Sequence, residues 1–289
     1  MSNYVICTDS ACDISNELLA EWGVPYRNLT FRFNGDAVEY TGQTMDIKSF
    51  YDRMREGGVA KTAAVNVEAF SSMFEEILLE GKDVLYLGFS SGLSTTCNSA
   101  RLAAMTLSEK YPERKIRTVD TLCASAGQGL LLYFALREQK KGRSLDEVAD
   151  YTEKAKMRLC HWFTVDDLVY LKRGGRVSPA TAVVGNILQF KPILHVDNEG
   201  HLVKVGVARG RRKSLEMVAE RFGALSIEAP EEATVFISHG DCREDAELVA
   251  KIIRDKYKAT VQIITHVGAV IGAHAGPGTI ALFFLGKER

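Results

Sequence analysis

Nowhere does the chain stay apolar for the ~20 residues that a transmembrane helix requires. A run such as Ile280 to Leu285 is only the length of a strand. No charge of one sign is in excess: 36 Lys and Arg stand against 37 Asp and Glu, a formal net charge of −1 with His neutral. That balance argues against non-specific nucleic-acid binding and against a polybasic membrane patch. The six cysteines, at 7, 12, 97, 123, 160 and 242, lack C-x-x-C spacing, which argues against a disulfide framework or a zinc site. No H-E-x-x-H, EF-hand or paired Cys/His motif is present, so no metal site is expected. The first ten residues carry neither a basic n-region nor a long apolar core, and the expected setting is cytoplasmic with reduced thiols.

What remains is ordinary for a globular protein. Hydrophobic residues make up 46% and charged residues 25% of the 289. That length suits one large domain or two medium ones, with a core that needs no staples. In the first half, short apolar runs alternate with helical patterns. Tyr4 to Cys7, Val84 to Leu87 and Ile116 to Val119 read as buried strands. Helices are expected over Ile14 to Trp22, Asp46 to Arg55, Val67 to Leu79, Ser94 to about Lys110, Ala124 to Gln139, and from Ser144 to about Leu159. Asn66 and Ser144 are the expected caps of two of them. Such alternation indicates an α/β fold with a largely parallel sheet.

The second half reads as α+β with a mixed or antiparallel sheet. Asp197-Asn-Glu-Gly200 separates two strand-like runs and predicts a hairpin, with His195 and His201 exposed at its ends. Two βα-like units follow, then a Gly-rich stretch from Gly268 to Gly278 and a last apolar strand. A boundary is expected near residues 160–165, which divides the chain into 1–162 and 163–289.

Four segments carry candidate chemistry. Gly88 to Thr96 joins a strand to a helix, where free N–H groups and the helix dipole favour anions. It also contains a literal G-x-S-x-G around Ser90, and Asp241 and His274 follow in hydrolase order. No oxyanion motif precedes it, and the helical pattern begins at Ser94 rather than at the serine. Lys61-Thr-Ala-Ala64 reads as a polar break ahead of a helix. In Leu168 to Ser178, a Gly174-Gly175 turn beside Arg176 suits either an anion or a simple helix end with solvated basic residues. In Gly268 to Gly278, four glycines surround His274 without forming a Walker A or G-x-G-x-x-G loop, which leaves a ligand role and a structural one equally open.

Taken together, five blocks resemble the DegV family of bacterial fatty-acid-binding proteins. They are Thr8-Asp-Ser10, Ser90-Ser-Gly-Leu-Ser94, Tyr170-Leu-Lys-Arg-Gly-Gly-Arg176, Lys191-Pro-Ile-Leu194 and Gly272-Ala-His-Ala-Gly-Pro-Gly278. Each is weak alone, but they stand in the family's order and span about residues 3–285. The resemblance implies a Rossmann-like N-terminal domain and a C-terminal domain with a mixed sheet, with a tunnel between them for one long-chain fatty acid. It implies carboxylate contacts from Thr62, Ser94 and His274, with Arg176 at the tunnel mouth or in a partner contact. It also implies a non-catalytic carrier that needs no cofactor and presents its lipid to a separate fatty acid kinase for acyl-phosphate formation and phospholipid synthesis. Contact with a membrane would be transient. One departure stands out: the family usually reads Thr-Ser-Gln-Pro where this chain has Thr62-Ala-Ala-Val65.

The physics of lipid binding suits that reading. A C16 acid has ~14 methylenes, and at ~0.8 kcal/mol each their burial yields ~11 kcal/mol gross. Association and chain ordering remove several kcal/mol of this. The tail can therefore supply the affinity while a few hydroxyls and an imidazole orient the head. The alternatives from other classes are a serine hydrolase acting on acyl esters through Ser90 and an enzyme that binds a small anion or phosphosugar.

Overall fold

The computed structural model describes residues 3–178, 189–227 and 232–289. The first half runs β1 (Tyr4–Asp9), a short 3-10 turn (Ser10–Cys12), α1 (Asn16–Glu21), β2 (Tyr26–Arg27), β3 (Thr30–Phe33), α2 (Ile47–Arg55), β4 (Ala60–Ala63), α3 (Val67–Leu79), β5 (Asp83–Gly88), α4 (Thr96–Lys110), β6 (Ile116–Asp120), α5 (Ala126–Lys140) and α6 (Leu145–Lys156). The second half runs β7 (Leu159–Thr164), α7 (Val169–Arg173), β8 (Phe190–Val196), β9 (Leu202–Arg209), α8 (Arg211–Leu225), β10 (Thr234–His239), α9 (Arg243–Tyr257), β11 (Thr260–His266), α10 (Ala269–Ala275) and β12 (Ile280–Leu285).

Strand order in the first sheet is β2-β1-β5-β6, all parallel. β5 is an unbroken apolar run because both of its faces are covered. Val84 and Tyr86 turn towards Phe70, Phe74 and Ala103 of α3 and α4. Leu85 and Leu87 turn towards Leu130, Leu131 and Val148 of α5 and α6. Three helices start where their caps are written: Asp46, Asn66 and Ser144 each accept an N–H of the first turn, and Ser144 forms a full capping box with Glu147.

The second sheet is mixed, in the order β11-β10-β12-β7-β8-β9. Helices α8 and α9 cover one face through Val218, Phe222, Val249 and Ile253. The opposite face, with Phe163, Phe236 and Phe283, packs in one cluster with Leu130, Leu131 and Phe134 of α5. Helix α5 thus lies between the two sheets and is buried nearly all round, which is why its sequence shows little amphipathic stripe. Gly127 makes that approach possible, since a Cβ there would sit 2.2 Å from Nε2 of His161.

The α/β class holds, with a parallel sheet in the first half and a mixed one in the second. Four local readings are corrected. The Lys61–Ala64 segment is not a polar break: Ala60–Ala63 form β4, antiparallel to β3. Helix α4 begins at Thr96 rather than Ser94. Helix α5 begins at Ala126 rather than Ala124, because Leu122 and Ser125 hold positive φ. The helix read to about Leu159 stops at Lys156, and the apolar Leu159–Thr164 that follows is a strand. A short, mostly apolar run abutting a helix cannot be told from its continuation by periodicity. The 162/163 division falls within this strand, which pairs along its whole length with β12.

The Asp197–Gly200 hairpin forms as read. Asp197 Oδ1 accepts the N–H groups of Glu199 and His201, and Gly200 supplies the positive φ of 81°. Its tip docks on the first half: the Ser90 hydroxyl donates to the Gly200 carbonyl at 2.9 Å. His201 is exposed as expected. His195 is not: it is half-buried and stacks on Trp162 with ring centroids 5.1 Å apart.

Candidate functional site

The segments after the carboxyl ends of β5 and β6 face the second sheet across a cavity of about 460 Å³. This is within the ~300–1,000 Å³ of small-molecule sites. Its walls are mostly apolar, with Phe89, Phe163, Leu202, Val267, Ile271 and Phe283 among them. Ala63, Ala64, Ser91 and Thr95 line it and are exposed, so they mark the mouth. Thr62, Ser94, Arg176 and His274 all line this one cavity, although 212 residues separate the first from the last.

Each of the four is held by a local device. Thr62 sits in β4, where pairing with Phe31 of β3 fixes its direction. His274 lies on α10, with its Nε2 2.8 Å from Thr62 Oγ1. The ring's other edge presses on the α7 turn: a Cβ on Gly174 would fall 2.0 Å from Nδ1. Nδ1 is buried and has no partner among the described residues. The tautomer that leaves no buried donor unpaired therefore carries its proton on Nε2 and donates to Thr62. That frees the Thr62 O–H to donate into the cavity. Burial, and secondarily the Arg176 charge, push the His274 pKa down to about 4.

Ser94 precedes α4 rather than capping it in full. Its Oγ accepts the Thr96 N–H at 3.2 Å and lies 2.9 Å from Thr96 Oγ1. The loop that carries it is pinned by Asp9, whose buried carboxylate receives the Tyr86 hydroxyl at 2.6 Å and the Phe89 N–H at 3.0 Å. Arg176 reaches back to this loop through Nε, which donates to the Leu93 carbonyl at 3.1 Å, and it also bonds the Gly174 carbonyl. No carboxylate pairs with Arg176 among the described residues. Burial alone holds its pKa below the usual arginine value. A half-buried cation without a carboxylate partner among the described residues, in one cavity wall with two hydroxyls and a neutral imidazole, offers chemistry that suits an anionic group. The apolar walls behind it suit an alkyl body.

The hydrolase reading is not supported. Ser90 is fully buried, its hydroxyl is committed to the Gly200 carbonyl, and it accepts the Gly92 N–H. Asp241 is bound by Arg55 at 2.5 Å, and Nε2 of His274 is directed to Thr62. The three residues in hydrolase order make no triad. No group of three or more metal-binding side chains occurs among the described residues, and none of their helices is long and apolar enough to cross a membrane.

A family model described as "Uncharacterised protein, DegV family COG1307" matches residues 3–287. The chain belongs to the DegV family. A DegV domain-containing protein of Clostridium perfringens is 43% identical over 290 residues, covering 100% of this chain and 99% of its own. A DegV lipid binding protein of Thermotoga maritima superposes with a TM-score of 0.86 at 29% identity, covering 100% of both chains. A DegV family protein of Thermus thermophilus that binds fatty acid superposes with a TM-score of 0.88 at 29% identity, over 98% of this chain and 99% of that one.

Within this DegV fold, the residues that replace the usual Ser-Gln-Pro stand where the cavity opens. Ala63 and Ala64 line it and are exposed, whereas Val65 turns into the core beside Phe70. The cavity wall thus keeps the Thr62 hydroxyl, and the alanines fall at its rim. Sequence reasoning missed the cavity's interior polar residues, above all Ser125 and Ser238. One signal was available: both lie just past or near the carboxyl end of a strand, where ligands of open α/β sheets bind.

Proposed function

We propose that this DegV protein is a non-catalytic carrier that binds one long-chain fatty acid and presents its carboxylate to a separate kinase for acyl-phosphate formation. The observation that carries the reading is Arg176, a cation without a carboxylate partner among the described residues, in the wall of a mostly apolar cavity. In the proposed complex, Thr62 and Ser94 donate O–H bonds to the carboxylate and Arg176 supplies the countercharge. His274 acts chiefly through Thr62, orienting its hydroxyl. Lipid binding by the Thermotoga protein and fatty-acid binding by the Thermus protein support the same ligand class. The exposed rim at Ala63, Ala64 and Thr95 would leave the carboxylate reachable by a kinase.

The test is direct. Purified protein is denatured and the released lipid analysed by mass spectrometry, with a stoichiometric free fatty acid as the expected result. Delipidated protein reloaded with palmitate is then given to a fatty acid kinase with ATP. Acyl phosphate should form only when both proteins are present. A protein that neither releases nor takes up fatty acid refutes the carrier reading, and one that binds lipid without supporting acyl-phosphate formation refutes the presenting role.

A further inference from the structure

The interior wall of the cavity carries a second polar cluster, with no hydrogen bond to the head-group residues among those described. Ser125, at the start of α5, and Ser238, on β10, line the cavity with their hydroxyl oxygens 2.9 Å apart. Behind them stands Asp13, whose carboxyl is bonded by Ser125 and by the Gly268 N–H. All three are buried, at 8% exposure for Asp13, 5% for Ser125 and 0% for Ser238. The chain accepts an unfavourable backbone to build the cluster: Asp13 has φ 51° and Ser125 φ 54°, in the left-handed region that favours glycine.

A count of hydrogen-bonding capacity shows what is unused. The Thr279 hydroxyl nearby is committed to the carbonyls of Ala275 and Gly276. His161 has both ring nitrogens engaged, by the Leu159 carbonyl and the Ala124 N–H. Among the described residues, the Ser238 hydroxyl has only Ser125. With Asp13 ionised, Ser125 donates to it and Ser238 donates to Ser125, which leaves the lone pairs of Ser238 without a donor. With Asp13 protonated, the relay can reverse, and the O–H of Ser238 is left without an acceptor. Burial pushes the Asp13 pKa up to about 7, so both states are populated near neutral pH. A polymethylene chain can fill neither valence. An oxygen carried on the chain fills either one, because a hydroxyl both donates and accepts.

We propose that Ser238, held by Ser125 and Asp13, is a specificity-determining subsite that hydrogen-bonds an oxygen on the acyl chain, so that the cavity takes hydroxylated long-chain acids in addition to plain ones. The inference rests on the fatty-acid reading of the same cavity. It is tested with delipidated protein, titrated with stearic acid and with monohydroxystearic acids that differ in hydroxyl position. At least one positional isomer should bind the wild type as tightly as stearic acid or tighter. Ser238→Ala should weaken that isomer about fivefold to tenfold, the worth of one neutral hydrogen bond, and change stearic acid by less than about twofold. Ser125→Gly, which suits the positive φ, should reproduce the pattern. Equal weakening of both acids in Ser238→Ala would make the cluster purely structural and overturn the proposal, as would rejection of every hydroxylated isomer by the wild type. If stearic acid itself fails to bind, the carrier reading falls and takes the subsite with it. If stearic acid binds normally and only the hydroxyl preference is missing, the carrier reading stands and the subsite alone is refuted.

Discussion

Replacement of Arg176 by methionine should separate ligand binding from folding. The substitution keeps the aliphatic stem and removes the charge. In the ligand-free protein two effects oppose each other. The bonds to the Leu93 and Gly174 carbonyls are lost, at roughly 1 kcal/mol each. Against this, a cation that burial disfavours, and that has no carboxylate partner among the described residues, is removed from the cavity wall. Unfolding stability should therefore change by no more than about 1–2 kcal/mol. Fatty-acid binding has no such compensation. One hydrogen bond between charged groups contributes about 1.5–3 kcal/mol, so the Kd should rise roughly 12- to 150-fold. Isothermal titration with palmitate, alongside urea denaturation of the delipidated protein, measures both quantities. The Arg176 charge also lowers the His274 pKa, so the His274 imidazole in Arg176→Met should titrate at higher pH by NMR. An unchanged Kd with a large loss of stability would refute the reasoning and leave Arg176 as a tie between the Leu93 and Gly174 loops.

His274 titrates near 6.5 when unfolded and about 4 in the fold, so its contribution to stability is present above pH ~6.5 and is lost as pH falls towards ~4. Burial depresses His161 and His239 in the same direction, so the measurement is a difference: His274→Gln should lose less stability than wild type over that window in urea titrations, and a parallel pH profile would refute the assignment. Ser94→Ala should weaken palmitate binding by about 1.5–3 kcal/mol. A drop in melting temperature with unchanged palmitate affinity would assign Ser94 only to the start of α4. Ser90→Ala removes the donor to the Gly200 carbonyl and should cost about 1–3 kcal/mol in stability, and neither it nor the wild type should turn over p-nitrophenyl esters. Hydrolysis that depends on Ser90 would reverse this.

Local signals in the sequence determined much of the first half. The apolar runs that become β1, β5 and β6, and the caps Asn66 and Ser144, are readable because strand burial and helix capping act over a few residues. The hairpin at Asp197–Gly200 is legible for the same reason, since side chain and backbone of the turn bond one another. The blocks around Ser94, Gly174 and His274 also pointed to the family to which the chain belongs, and so to the ligand class proposed here. Tertiary structure decided what depends on partners far along the chain. That Thr62 is a strand residue follows from pairing with Phe31, and its meeting with His274 joins positions 212 apart. That Arg176 lacks a carboxylate among the described residues, while Lys191 and Arg211 both find Asp166, depends on which acids the fold brings near. The cluster of Asp13, Ser125 and Ser238 was invisible for the same physical reason. Three common polar residues from separate segments acquire a shared chemistry only when burial removes water and leaves them one another as hydrogen-bond partners.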